Sequence, residues 1–324
     1  MRVSFIYTSP ISDRWEALDV LRGIAIFFMV MANFLAYYNI LPSWFWHASW
    51  NGITIADLGI PIFLFAMGIG YQLSFERRFE RSGKLSTILH FLKRYLTLFI
   101  FGFFGYFLAM GKIQWEVLQT ISTVGIFSLG FMFIRPLMRI IVALVLTVIY
   151  QITILTYAQN WVLSFAETGL GGPYAVLSWN FILITGSVLA YWLKSDQEKN
   201  IIGVLAIWAL INLFIGILIS LVIPFNKHLV SISYIIFSTG VAIVGILLFH
   251  IITEIGHKRI LVFDSLGRNA LVCYITSQLL GLLMFKFLPN PQNNLLLTLI
   301  SIILLLICIG LAQFLDTKKV YIRL

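Results

Sequence analysis

Long apolar runs separated by short polar breaks recur along the whole chain. Their lengths and the breaks between them predict ten helical spans, at roughly residues 17–38, 53–75, 88–110, 117–134, 140–157, 174–193, 201–223, 229–251, 262–288 and 294–315. Each is near the ~20 residues that a helix needs to cross a hydrocarbon core. The breaks are polar and mostly basic: "ERRFERSGK" after the second run, "RPLMR" after the fourth, "KSDQEK" after the sixth, "EIGHKR" after the eighth, and "PNPQNN" between the last two. Most runs show no alternation of period two, which argues against a membrane β-barrel. The expected fold is all-α, a polytopic transmembrane helix bundle of about ten spans. It forms one domain over residues 1–324, with 1–16 as an N-terminal segment and 316–324 as a tail.

Composition agrees with this pattern. The chain is 60% hydrophobic and 11% charged, with a mean hydropathy of +0.97. A soluble domain carries about 25% charged residues, so a water-facing surface cannot be covered here. The formal charge of +9 does not indicate a nucleic-acid partner, because the basic residues are scattered at the ends of apolar runs and not gathered in a patch. Basic residues accumulate on the cytoplasmic side of membrane proteins. With the N-terminus inside, 19 of the 22 Lys and Arg lie on that side, and only Lys112, Lys227 and Lys286 lie outside. Both termini are therefore expected in the cytoplasm, and "HASWNG" outside. No removable signal peptide is evident. Cys273 and Cys308 lie within apolar runs and read as small buried hydrophobes.

Polar residues inside the spans are the candidate chemistry, since a charge near the bilayer centre costs at least about 2.5–3.5 kcal/mol. Asp19 and Arg22 are three residues apart and can pair on one face of the first span. Asn33 follows eleven residues after Arg22, almost three turns, which returns it to the same face about 16 Å further along. The inner pair is equally a topology anchor, and Asn33 equally a helix cap. Asp57 begins the second span and Pro61 follows it by one turn; a proline there frees a backbone carbonyl near Asp57. Trp44, Trp46 and Trp50 fit an interfacial aromatic belt. His47 does not, and histidine is the side chain suited to exchanging a proton near neutral pH. Arg268 and Asn269 either bind an anion or cap a helix. No metal-ligand spacing, phosphate loop or nucleophile elbow is present.

Two of these stretches carry a resemblance. "LDVLRGIAIFFMVMAN" followed by "HASWNGITIADLGIPIFLFAMG" resembles the catalytic region of the heparan-α-glucosaminide N-acetyltransferase family and its bacterial relatives. Weaker matches continue in "WEVLQTIS" and in "AETGLGG" with "SWNFILITGSVLA"; "IPFNKHLVSISY" is another close match and "LGRNALVCYI" a looser one, so the resemblance spans most of residues 14–290. It implies transfer of an acetyl group from acetyl-CoA on the cytosolic side to an amino sugar on the far side. The family's active-site histidine matches His47, its asparagine best matches Asn33, and its motif aspartate matches Asp57. Thr120 stands where the family often has arginine, and Ile60 where it often has phenylalanine.

The expected enzyme is thus an acetyl-CoA-dependent acyltransferase without a metal, multi-pass in a bacterial cytoplasmic membrane, with the lipid bilayer, acetyl-CoA and a glycan amine as partners; the family implies a homodimer. His47 serves as general base or acetyl carrier, Asn33 as oxyanion donor and Asp57 as orienting group. Arg22, Asp19, Arg94, Arg268 and Asn269 are the expected acetyl-CoA contacts, and Trp46, Trp50 and Asn51 the acceptor contacts. Two other functions remain open. An O-acetyltransferase of surface polysaccharide changes only the acceptor; a transporter or flippase would carry internal repeats, and none is clear in the sequence.

Overall fold

The structure, a computed structural model, describes residues 15–35, 46–111, 114–165, 169–195, 200–287 and 294–321. Among these residues all regular structure is helical. In chain order the helices are α1 (Glu16–Leu35), α2 (Gly59–Met110), α3 (Val117–Leu129), α4 (Pro136–Thr156), the short α5 (Gln159–Leu163), α6 (Val176–Ser195), α7 (Ile201–Ser220), α8 (Ile232–His250), α9 (Leu261–Arg268), α10 (Ala270–Phe287) and α11 (Asn294–Thr317). Among the described residues, six segments are long and apolar enough to cross a bilayer, with 56–108 counted as one of them. The count of ten thus goes beyond what length and hydropathy establish.

The second and third expected spans form the two arms of α2. Gly83 interrupts it with φ 74° and ψ 177°, a conformation that favours glycine. The arms fold back on one another: Tyr71 stacks on Tyr95 at 5.7 Å and meets Phe91 at 4.4 Å, and Phe75 meets Phe91 at 5.9 Å. Tyr71 and Tyr95 are equidistant in sequence from Gly83, as are Phe75 and Phe91, so the glycine is the tip of a helical hairpin. The ninth expected span is also not continuous, because the chain breaks at Asn269 between α9 and α10.

The layers follow from which faces are apolar. α6 is buried almost all round and packs on α2 and α4. α4, α7 and α11 turn Leu, Ile and Phe side chains outwards, the surface expected against lipid. α1 packs against α9 at backbone distance. A Cβ on Gly23 would lie 1.8 Å from the Phe263 carbonyl oxygen, and one on Gly267 would lie 1.7 Å from that of Asp19. This contact brings Asp19 and Arg22 beside Arg268. α8 continues into one π-helical turn, Ile251–Ile255, whose Glu254 carboxylate accepts the Glu16 N–H (3.0 Å) and the Ala17 N–H (3.4 Å). A distant segment of the chain thus satisfies amide donors that open the first turn of α1.

Candidate functional site

The loops expected on the outer side meet on one face. Gly52 N–H donates to the Phe225 carbonyl at 2.8 Å, and Asn226 Nδ2 donates to Asn51 Oδ1 at 3.2 Å. The loop at 224–231 folds on itself as well: Asn226 Oδ1 accepts from Leu229 N–H at 2.8 Å, and Ser231 Oγ accepts from Asn226 N–H at 3.0 Å. Val230 is held at φ 50°, unfavourable for a β-branched side chain, while its carbonyl accepts from Ser178 at 3.2 Å. Such strain persists where the surroundings over-determine the backbone.

Asp57 is the centre of this face. It stands in a single 3-10 turn, Ala56–Leu58, that leads into α2, and its side chain has no exposure. Oδ2 accepts from Ala48 N–H (3.2 Å) and Thr54 N–H (3.1 Å), and the Thr54 hydroxyl is shared between Oδ2 (3.0 Å) and the Trp46 carbonyl (2.6 Å). Oδ1 is left for His47, whose Nδ1 is 2.8 Å away. Lys227 Nζ closes the group, 3.1 Å from His47 Nδ1 and 3.6 Å from Asp57 Oδ1. The His47 side chain is 40% exposed, against 9% for Lys227. Its other ring nitrogen, Nε2, has no partner among the described residues.

The electrostatics keep His47 uncharged at neutral pH. Burial of the ring and the Lys227 ammonium hold its pKa below the ordinary histidine value, outweighing the opposite pull of Asp57. Burial also lowers Lys227, against the attraction of Asp57 and Glu116. Glu116, just before α3, is pushed up to about 7 by burial, with Lys227 acting the other way. A neutral imidazole with Nδ1 against a buried carboxylate and Nε2 open has the arrangement of a general base or nucleophile.

Three expected acceptor contacts lie around it. Trp50 is exposed and stacks on His228 at 5.4 Å with 16° between the rings. Asn51 is exposed beside it, engaged by Asn226. Trp46 is half-buried, and its indole Nε1 is buried without a partner among the described residues. Asn33 stands in the last turns of α1, but its side chain lies outside the described residues, as does Trp44.

A second feature opens towards the other side. A cavity of about 760 Å³ runs between α1, α2, α9 and α10, walled by Arg22, Arg77, Arg78, Arg81, Arg94 and Arg268 at one end and by Ile26, Met29, Phe63, Ile121 and Tyr274 deeper in. Its deep end reaches Met29, which packs on Gly59, two residues past Asp57. Asp19 lines it and pairs with Arg22 at 3.2 Å. Arg94 lies over the Tyr95 ring at 5.5 Å, and its buried Nε has no hydrogen-bond partner among the described residues. Arg268 is committed to Asp264 and, at 2.7 Å, to Asp316. Asn269 does not line the cavity; it is fully buried at the α9–α10 break, with Nδ2 3.4 Å from the Ala312 carbonyl. Thr120 accepts from Trp115 Nε1 at 2.9 Å and donates to the Glu116 carbonyl at 3.2 Å, within the protein.

The sequence reading missed Lys227, His228 and Glu116, and it treated Arg77, Arg78 and Arg81 only as a topology signal. A clue to the first two was present: Asn-Lys-His interrupts an apolar stretch on the side with the fewest basic residues.

Comparison with known proteins bears on the same regions. A protein-family profile described as a domain of unknown function, DUF5009, matches residues 14–134. Human (Homo sapiens) heparan-alpha-glucosaminide N-acetyltransferase is 40% identical over 74 residues, 22% of this chain and 11% of the human protein. The mouse (Mus musculus) protein of the same name is 38% identical over 71 residues, 22% of this chain and 10% of its own length. The matched segment spans about a tenth of these relatives. The chain is thus a multi-pass membrane protein similar in part to an N-acetyltransferase, which supports a transferase.

Proposed function

We propose that this chain is a transmembrane acetyltransferase that takes an acetyl group from cytoplasmic acetyl-CoA and passes it to an amino sugar or glycan amine on the opposite side. The observation that carries the reading is the His47–Asp57 pair: a buried carboxylate holds Nδ1 at 2.8 Å and leaves Nε2 of a neutral ring open. The cavity supports the donor. CoA is rich in phosphate, guanidinium groups bind phosphate strongly, and the buried Arg94 Nε awaits an acceptor. Arg22 and Arg94 take its phosphates in this reading, with Arg77, Arg78 and Arg81 at the mouth. With this orientation both termini lie in the cytoplasm. The homodimer and the bacterial cytoplasmic membrane are parts of the reading that rest on resemblance alone.

Two routes use the same geometry. As general base, Nε2 removes a proton from the acceptor ammonium; the freed amine attacks the thioester carbon, the C–S electron pair leaves with CoA, and the surplus proton on the new amide nitrogen passes to the thiolate. As carrier, the Nε2 lone pair forms the bond to that carbon and CoA leaves as thiolate. The acceptor amine then displaces the imidazole, returning the pair to Nε2. Trp50 offers the aromatic face, and Asn51 the polar edge, for a sugar ring.

The test uses purified protein, acetyl-labelled acetyl-CoA and glucosamine, with wild type compared to His47→Ala. Labelled N-acetylglucosamine from wild type alone supports the reading. Label retained on the protein after CoA removal, and lost in His47→Ala, selects the carrier route. No histidine-dependent transfer to glucosamine or to hydroxyl-only sugars would sink it.

A further inference from the structure

The buried lysine beside the pair is not accounted for by base or carrier chemistry. Lys227 is 7% exposed, in a loop 180 residues along the chain from His47. Burying an ammonium is costly unless it is paired, and an ion pair with Asp57 would suffice for that. Yet Nζ is nearer to His47 Nδ1 (3.1 Å) than to Asp57 Oδ1 (3.6 Å). One ring nitrogen therefore faces two partners with opposite demands. If Nδ1 carries the proton it donates to Asp57, and Nε2 keeps its lone pair. If Nδ1 is bare it accepts from Lys227, and Nε2 carries the proton. In either state the ring is neutral. A doubly protonated ring would set a second cation 3.1 Å from the ammonium.

We infer that Lys227 is a positioning residue: set against the nitrogen that Asp57 holds, its ammonium keeps His47 uncharged, so that in the tautomer whose Nδ1–H donates to Asp57 the Nε2 lone pair is available and any cation formed there is short-lived. Of the other groups facing the cluster, His228 acts in the same direction, but it ranks last, after burial and Lys227. Asp57 favours the charged ring. His228 stacks on Trp50 with its Nε2 3.4 Å from the Ala48 carbonyl. Tyr234 of α8 is engaged with the Asp57 carbonyl at 2.6 Å. Glu116, before α3, acts on Lys227 and favours its charged form. Lys227 is the fixed cation in contact with the imidazole. In the base route it hastens release of the proton gained at Nε2; in the carrier route it makes the acetylated ring a better acyl donor. Only these consequences rest on the acetyltransferase reading.

The experiment reads His47 directly and needs no activity. Diethyl pyrocarbonate modifies neutral imidazole, so the rate at each histidine, resolved by peptide mass spectrometry between pH 5 and 9, reports its protonation midpoint. In the detergent-solubilised full chain, the His47 midpoint is expected below that of N-acetylhistidine titrated alongside as a control. In Lys227→Met, with side-chain length kept and charge removed, the His47 midpoint rises by one unit or more; Lys227→Arg restores it. The acid limb of acetyl transfer, where transfer is detected, moves by the same amount. A folded Lys227→Met chain with an unmoved His47 midpoint overturns the inference. If that variant does not fold, Lys227→Gln takes its place, and an unmoved His47 midpoint there overturns the inference. Loss of transfer with the midpoint shift intact would instead count against the acetyltransferase reading.

Discussion

Tyr234 donates its hydroxyl proton to the backbone carbonyl of Asp57 at 2.6 Å. That carbonyl is four residues before Pro61, so the helix has no N–H to offer it. α2 therefore starts with a vacancy that α8 fills, and the fill anchors the turn carrying Asp57. Tyr234→Phe leaves a fully buried acceptor unpaired and is expected to cost about 1–3 kcal/mol, with a fall in transfer as Asp57 loses its register. Pro61→Ala restores the missing N–H. The double variant should recover part of the melting temperature lost by Tyr234→Phe, and a strictly additive pair of changes would refute the relationship.

Asp57→Asn keeps the shape of the carboxylate and removes its charge. The amide no longer fixes the His47 tautomer and leaves Lys227 buried without a counter-ion. Transfer should drop by about 10²–10⁴-fold, as expected when an orienting carboxylate is neutralised. Stability should drop as well, by about 3–5 kcal/mol, because a buried pair has been broken. Adding Lys227→Met should return stability but not transfer. Recovery of both would mean that Asp57 serves only as an ionic partner.

How much of this was legible depends on sequence distance. The alternation of apolar runs with basic breaks sufficed for most of the long helices, because length and hydropathy are local, but not for the join at Gly83, the short α5 or the break at Asn269. His47 and Asp57 stand ten residues apart on one loop, so their partnership could be weighed from sequence. Lys227 is 180 residues from His47, and no periodicity links two loops that meet only after α7 and α8 have packed. Arg77, Arg78 and Arg81 were visible but ambiguous: an arginine that marks the cytoplasmic side and one that walls a cavity have the same spacing. Arg268 shows the reverse case: it lines the cavity, but its second carboxylate partner, Asp316, comes from α11 and is not visible from local spacing.

The arginines of the cavity should therefore differ in their effect on CoA. Arg94 has a donor without a partner and should contribute most; Arg94→Ala is expected to weaken CoA binding by about 10–100-fold, the loss of a charged hydrogen bond. Arg268→Ala should change affinity less and lower the melting temperature more, since it removes the cation that Asp264 and Asp316 share. Isothermal titration with CoA and thermal melts on both variants measure the order. The reverse order would move the phosphate site to the α9 side of the cavity.

Gly23 lies where α1 and α9 touch, and a Cβ there would fall 1.8 Å from a backbone oxygen that cannot swing aside. Gly23→Ala must push the helices apart, which displaces Arg22 and Asp19 from Arg268. Overpacking costs about 1–3 kcal/mol where side chains yield, and a backbone clash should reach the upper end. The expected outcome is a lower melting temperature together with weaker CoA binding. A variant with normal stability and affinity would show that α1 and α9 are not packed this closely.

Glu116 provides a pH dependence whose sign is fixed. Burial raises its pKa to about 7 from an ordinary value of 4.5, so the folded chain holds this proton more tightly than the unfolded chain. Between those two values the folded state carries a proton that the unfolded state has released, and stability falls as pH rises. Below 4.5 the group costs nothing; above 7 the full penalty applies, at most about 3 kcal/mol and less to the extent that the side chain is partly solvated. Glu116→Gln mimics the protonated form at every pH. The variant should melt with wild type at pH 5 and above it at pH 8.5, and the gap should open around neutrality. A gap that is constant across this range would mean that Glu116 does not titrate where its burial requires.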